Sequence, residues 1–113
     1  MADSNQAGTH LFRFDRFEFD RRALELRRAG VKVKLEGQPL RILDMLVGRP
    51  GELVTRDDLR KRLWPGNTIV DFEHSINAAM KRLREALGDS AETPRFIETL
   101  PRRGYRFRPG VTP

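Results

Sequence analysis

The sequence contains no cysteine in its 113 residues, so disulfide bonds and thiolate metal sites are excluded. Its two histidines, His10 and His74, form no close constellation with carboxylates, so we expect neither a metal site nor a cofactor. No apolar run approaches the roughly 18 residues of a membrane-spanning helix. The polar N-terminus also has no signal-peptide core. These absences fit a domain that works in the cytoplasm.

Motifs for catalysis are missing as well. Ser75 has no plausible base beside it, because His74 is its chain neighbour and projects elsewhere on the predicted helix. No glycine-rich loop that could hold a phosphate follows a strand-like segment. We therefore expect that the domain is not an enzyme.

Positive charge is abundant. Lysine and arginine number 22 against 16 aspartate and glutamate, which gives a net charge of +6 and a pI near 10.7. This balance favours a polyanionic partner, either a nucleic acid or an anionic membrane surface. The length is that of one domain with a modest core.

The stretch from Asp71 to Leu87 has the pattern of one amphipathic helix. One narrow apolar stripe is formed by Ile76, Met80, Leu83 and Leu87. The opposite face carries His74, Ala78, Lys81, Arg82 and Glu85. This face is largely basic and has a small residue at its centre, as a helix that lies in the major groove of DNA requires. The alternative is an ordinary solvated helix face. The other elements of the chain are needed to distinguish this alternative from a DNA-binding helix.

The first third of the chain alternates apolar and charged residues with period two, which predicts four short antiparallel strands. They fall within 11–14, 17–19, 24–26 and 31–35. Their buried side is assigned to Phe12 or Phe14, Phe17, Phe19, Leu24, Leu26, Val31, Val33 and Leu35. Residues 1–10 are predicted to be a disordered lead, residues 11–109 the folded domain, and residues 110–113 a tail.

Two further helices are predicted between the strands and the basic helix. Pro39 suits a first helical position, and the apolar pattern that follows ends at Gly48. Thr55 can cap the next helix, which runs to about Trp64, a predicted core anchor. After Gly88, segments 96–100 and 105–107 read as two strands, with Pro101, Arg102, Arg103 and Gly104 as the tip of a hairpin.

This order of elements predicts an α+β fold of the winged helix-turn-helix type. An N-terminal four-stranded antiparallel sheet is followed by three helices and a C-terminal β-hairpin wing. In such a fold the third helix enters the major groove and the hairpin lies on the adjacent backbone or minor groove. Two neighbouring basic elements shift the balance toward nucleic-acid binding.

Several motifs in fixed order resemble the OmpR/PhoB-type winged-helix DNA-binding domain of bacterial transcriptional regulators. They are Pro50-Gly51, Val54-Thr55-Arg56, Asp58-Leu59, Leu63-Trp64, Lys81-Arg82-Leu83-Arg84, Ala86-Leu87 and Gly104-Tyr105-Arg106-Phe107. The resemblance covers nearly the whole chain. It implies sequence-specific binding of double-stranded DNA as part of a transcriptional regulator.

The resemblance also implies roles for individual residues. The groove-facing positions would be His74, Ala78, Ala79, Lys81 and Arg82, with Asn77 at the edge of that face. The wing contacts would be Thr99, Arg102, Arg103 and Tyr105, although Tyr105 is also typical of a hairpin core. The loop that contacts RNA polymerase in some members would be 65–70, with Pro65, Gly66, Asn67 and Thr68.

Members of this family tend to bind direct repeats as head-to-tail pairs, so we expect tandem half-sites and a domain that is monomeric when free. We expect no receiver domain before this one. The expected parallel is therefore the variant with an N-terminal DNA-binding domain, followed by a membrane span or a sensory or repeat domain.

The sequence departs from the family pattern at two places. Leu100-Pro101-Arg102-Arg103 replaces a Val-Arg-Gly segment that often precedes the Gly-Tyr pair, which displaces the wing arginine. Ala78 and Ala79 leave few hydrogen-bonding groups for base edges, which favours contact with thymine methyls or readout of DNA shape. Two other functions stay open: a winged-helix module that binds an acidic protein, and a non-specific nucleic-acid binder.

Overall fold

The computed structural model describes residues 10–64, 66 and 71–108. It begins with four antiparallel strands in sequential order: β1 (Leu11–Phe14), β2 (Phe17–Asp20), β3 (Glu25–Arg28) and β4 (Val31–Lys32). The predicted period-two alternation is confirmed, since Phe14, Phe17, Phe19 and Leu26 are buried. These four side chains therefore lie on the face that the pattern predicts.

The fourth strand is shorter than predicted. Only Val31 and Lys32 pair with β3, and the Val31 side chain is 69% exposed instead of buried. Val33 still donates a backbone hydrogen bond to Leu26 (2.8 Å) and is half-buried. The chain then leaves the sheet toward the first helix, which brings Leu35 into the core.

The first helix, α1, spans Gln38–Val47 and has Pro39 in its first turn, as predicted. Gly48 follows its last residue. The Gly48 N–H donates to the Asp44 carbonyl, and the Arg49 N–H donates to the Leu46 carbonyl. Its buried residues are Pro39, Leu40, Ile42, Leu43, Leu46 and Val47. This wide apolar face makes α1 the central helix of the core.

A short strand, β5 (Leu53–Thr55), leads directly into α2 (Arg56–Leu63). The Thr55 hydroxyl accepts from the Asp58 N–H (2.9 Å), and the Asp58 carboxylate accepts from the Thr55 N–H (3.1 Å). That backbone hydrogen bond from Thr55 holds the pKa of Asp58 below its usual value. Trp64, predicted as a core anchor, is half-buried and packs edge-on against Phe72.

The third helix, α3, spans Phe72–Leu87, and two strands follow: β6 (Ile97–Leu100) and β7 (Gly104–Phe107). The hairpin is not a free two-stranded arm. β5 pairs with β7, so the hairpin belongs to a three-stranded sheet in the order β5-β7-β6. The strand before α2, β5, therefore holds one edge of the wing through its pairing with β7.

Four phenylalanines join the two sheets. Phe14 and Phe17 of the N-terminal sheet pack against Phe96 and Phe107 of the hairpin, with ring centroids 5.1 to 5.8 Å apart. Phe14 lies edge-on to both hairpin rings, a favourable geometry for aromatic pairs. Of the described helices, none is long and apolar enough to span a bilayer.

Candidate nucleic-acid interface

The two faces of α3 are separated as the sequence predicts. Ile76, Met80, Leu83 and Leu87 are buried, and His74, Asn77, Ala78, Lys81, Arg82 and Glu85 are exposed. Ala79 is the exception, because the structure places it on the buried side at 5% exposure. Its expected position facing the groove is therefore wrong. The exposed face has Ala78 at its centre, with cations toward the C-terminal half.

Both ends of α3 are capped by local chemistry. The Asp71 carboxylate accepts a hydrogen bond from the His74 N–H (3.1 Å). Gly88 ends the helix in the left-handed conformation with φ 66°. The Gly88 N–H donates to the Glu85 carbonyl, and the Asp89 N–H donates to the Arg84 carbonyl. The exposed face is thus carried on a rigid sixteen-residue helix.

The tip of the hairpin holds two exposed arginines, Arg102 and Arg103. The Arg103 N–H donates to the Leu100 carbonyl (2.9 Å), which closes a tight turn over Pro101 and Arg102. Proline followed by a residue of positive φ is the pattern of a type II turn, in which glycine or asparagine is the usual third residue. Arg102 occupies that position with φ 65°. The third position of this turn is therefore occupied by an arginine, although its positive φ favours glycine.

Tyr105, predicted as a wing contact or a hairpin core residue, is a core residue and is 3% exposed. Two guanidinium groups lie over its ring, those of Arg56 (5.4 Å from the ring centroid) and Arg84 (5.9 Å). Its hydroxyl accepts a hydrogen bond from Arg56 Nη2 (3.2 Å). Tyr105 therefore stabilises the wing as a buried residue of β7 and does not present a surface for a ligand.

Arg84 connects α3 to the hairpin. Its Nη2 donates to the Ile97 carbonyl (3.0 Å) and to the Thr99 hydroxyl (2.7 Å). Thr99, another predicted wing contact, is thus half-buried and already holds a partner inside the domain. The role of Arg84 was not predicted from the sequence. Its position between the apolar stripe and the exposed face was the available signal, since such flanking residues reach neighbouring elements.

Charge on the interface is mostly positive. Lys81, Arg82, Arg102 and Arg103 are exposed on α3 and on the hairpin tip. The carboxylate of Glu73, at the start of α3, forms an ion pair with Arg56 (3.4 Å). That pairing reduces the repulsion that Glu73 would exert on a phosphate backbone.

The predicted polymerase-contact loop lies largely outside the described residues. Pro65, Asn67 and Thr68 are not described, and Gly66 is exposed. Among the described residues, no group of three or more histidines or carboxylates is placed to hold a metal ion.

Comparison with known proteins gives a consistent result. The family model described as "Transcriptional regulatory protein, C terminal" matches residues 30–107. A cholera toxin homolog transcriptional activator of Vibrio parahaemolyticus is 35% identical over 103 residues, and a cholera toxin transcriptional activator of Vibrio cholerae is 33% identical over 75 residues. These matches cover 88% and 66% of this chain. They cover only 35% and 26% of the two relatives, so the chain spans about a third or less of their length.

Solved structures show the same fold. The RstA DNA-binding domain of Klebsiella pneumoniae, crystallised in complex with the RstA box, superposes with a TM-score of 0.72 at 30% identity. That match covers 88% of this chain and 97% of the other. The response regulator DrrB of Thermotoga maritima, an OmpR/PhoB homolog, gives a TM-score of 0.76 at 27% identity, over 88% of this chain and 44% of DrrB.

Proposed function

Because this chain belongs to the OmpR/PhoB-type family of C-terminal DNA-binding domains of transcriptional regulators, we propose that it binds double-stranded DNA sequence-specifically. In this proposal α3 lies in the major groove and the wing lies on the adjacent backbone or minor groove. One observation carries it: the exposed, basic face of α3 lies opposite a fully buried stripe, and the same helix is hydrogen-bonded through Arg84 to the hairpin whose tip has two exposed arginines.

The dimensions of DNA support this arrangement. A major groove about 12 Å wide admits an α-helix, provided that no bulky side chain at its centre holds it off the base edges. Ala78 meets that condition, and its methyl group can contact a thymine methyl. Lys81 and Arg82 supply donors for base edges or phosphates. The guanidinium of Arg82 can form two hydrogen bonds with guanine, and the Lys81 ammonium also suits a phosphate.

The wing contributes through charge in this proposal. Arg102 and Arg103 are exposed at the tip of a turn that the β5-β7-β6 sheet supports. Cations in such a position neutralise phosphates and add affinity on any duplex, whatever its sequence. We assign Thr99 and Tyr105 to supporting roles, since both hydroxyls accept hydrogen bonds from arginines of the domain.

The test begins with selection of preferred duplex sites by the domain, followed by the variants Lys81→Ala and Arg82→Ala. Loss of a two-fold hydrogen-bonded base contact costs about 1–3 kcal/mol, which is roughly a 5- to 150-fold loss of affinity. A base contact should also relax preference at one position of the site, whereas a phosphate contact should weaken all sequences alike. Fluorescence anisotropy on the selected site and on single-base variants measures both effects.

The matched control is Lys61→Ala on α2. Lys61 is exposed and forms an ion pair with Asp57 (3.2 Å), so its loss changes the net charge by the same amount away from α3. We expect little change in affinity for this variant. If Lys81→Ala and Arg82→Ala both bind the selected site as tightly as the unmodified domain, α3 is not the reading helix.

The proposal extends to assembly on DNA. One winged helix covers about one half-site, which rarely gives high specificity alone. We propose that two copies bind direct repeats head to tail, that the free domain is a monomer, and that residues 65–70 contact RNA polymerase. The charged edge of the N-terminal sheet around Arg13, Arg16 and Glu18 is our candidate for the contact between copies. Arg13 and Glu18 form an ion pair there (3.0 Å). The folded unit is proposed to span residues 11–109.

Inserting five base pairs between two direct half-sites should abolish cooperative binding. In tandem binding both copies lie on one side of the duplex, with half-sites about 10–11 base pairs apart. Half a turn of extra DNA moves one copy to the opposite side, so the two domains no longer touch. Mobility-shift titration should then show two independent events with unchanged single-site affinity, and a ten-base-pair insertion serves as the control for phase. Selected sites that are inverted repeats would contradict the head-to-tail arrangement, because a palindrome requires a two-fold pair.

A further inference from the structure

A second basic surface lies on the side of α3 that faces away from the wing. It is an open groove of about 880 Å³ between the segment that follows β3 and the start of α1. We call it the β4–α1 groove. Its charged lining residues are Lys32, Lys34, Glu36, Arg41 and Arg82. Four cations against one carboxylate make the groove strongly basic.

The position of this groove follows from the geometry of α3. At about 100° per residue, Arg82 and Arg84 point in directions roughly 200° apart on the helix. Arg84 reaches the hairpin, where it holds Thr99. Arg82 points to the other flank and lines the β4–α1 groove. The wing and the groove therefore lie on opposite sides of the exposed face, and Arg82 belongs to both the face and the groove.

The start of α1 adds to the positive potential. The N-cap residue Gly37 makes no side-chain cap, and the first turn has no acidic residue. By contrast, α2 carries Asp57 and Asp58 in its first turn, and α3 has the Asp71 cap. The positive end of the α1 dipole is therefore not offset from within its first turn, and it adds to the field of Lys34 and Arg41.

We propose that the β4–α1 groove binds the phosphate backbone of DNA next to the major groove that α3 occupies, on the side away from the wing. This inference rests on the proposed function of α3. The two supports are charge complementarity and the continuity that Arg82 provides with the α3 face. Lys34 and Arg41 are the phosphate contacts, and both are exposed. The domain then contacts the phosphate backbone on both sides of α3, through the wing on one side and the β4–α1 groove on the other.

The experiment compares the double variant Lys34→Ala/Arg41→Ala with the wing variant Arg102→Ala/Arg103→Ala and the control Arg16→Ala/Arg22→Ala. All three lose two positive charges, and the control residues are exposed in turns of the N-terminal sheet, outside the groove lining. Affinity is measured as a function of salt on a single half-site. Loss of two phosphate contacts should reduce the slope of log affinity against log salt by roughly two units. Thermal unfolding shows that each variant is folded.

A second duplex, shortened on the side away from the wing, locates the contact. The unmodified domain and the wing variant should lose affinity on the short duplex, and the groove variant should not. A groove variant that matches the control in slope and in response to shortening would overturn the proposal. So would a groove variant that loses only cooperativity on a tandem site, because the groove would then contact a second copy. If the unmodified domain binds no duplex, the proposed function itself fails, and the two failures are thus distinguished.

Discussion

Replacing Gly104 with alanine should unfold the three-stranded sheet and destabilise the whole domain. An alanine Cβ at this position would lie 2.1 Å from the Val54 carbonyl oxygen and 2.8 Å from the Thr55 Cα. Both atoms belong to the backbone of β5, which pairs with Gly104 and cannot move without breaking that ladder. Overpacking commonly costs about 1–3 kcal/mol, and a clash with backbone lies at or above the upper end.

A loss of about 3 kcal/mol lowers the melting temperature of a domain this size by roughly 12–24 °C. Circular dichroism during heating measures it. The matched control is Gly30→Ala, since Gly30 also has a positive φ (83°) but a Cβ there meets no atom within 4 Å. It should lose only the roughly 1–2 kcal/mol of left-handed strain. Equal losses at the two positions would show that backbone strain, not the clash with β5, determines the effect.

The helix boundaries could be predicted because their signals are local. Pro39 starts α1, the exchange between Thr55 and Asp58 starts α2, and Gly88 ends α3, each within a few residues of the chain. The separation of the two α3 faces was predictable for the same reason. Helical periodicity depends only on neighbouring residues, so one sequence is enough to read it.

The contacts that the sequence analysis missed join distant parts of the chain. The pairing of Val54 with Tyr105 and the hydrogen bond from Arg56 to Tyr105 each connect residues about fifty positions apart. The residue periodicity within one segment does not indicate which distant segment it will contact. Ala79 was placed in the groove by family resemblance, but its side chain is on the buried side of α3. The β4 strand was predicted too long, because alternation continues through Val33 and Leu35 after the ladder ends.

The consequence for the site is specific. Sequence patterns identify the exposed face of α3 and the basic tip of the wing, the two surfaces that we propose to touch DNA. They do not identify the contacts that join those two surfaces. In the structure one such contact is made by Arg84, whose guanidinium bridges α3 to the Ile97 carbonyl and the Thr99 hydroxyl of β6.

The variant Arg84→Met should therefore weaken both the fold and the coupling between α3 and the wing. Methionine is an unbranched side chain that replaces the apolar stem of arginine but cannot donate a hydrogen bond. The Ile97 carbonyl and the Thr99 hydroxyl lose a charged donor in a half-buried place, which costs about 1.5–3 kcal/mol. Chemical denaturation measures this loss. As a control, Arg95→Met removes an exposed arginine that pairs with Asp15 (3.2 Å) and should cost at most about 1 kcal/mol.

The effect on DNA binding separates a coupling role from a merely structural one. With the bridge intact, the wing is held beside α3. Removing Arg102 and Arg103 should then reduce DNA affinity by the full contribution of the wing. In the Arg84→Met background the hairpin loses its hydrogen bonds to α3, and the same two removals should cost less. A double-mutant cycle on a single half-site, at a temperature where all four proteins are folded, measures that difference directly. The two changes are non-additive only if the bridge holds the wing in place on the DNA. If the wing substitutions reduce the free energy of DNA binding equally in both backgrounds, Arg84 stabilises the domain without positioning the wing.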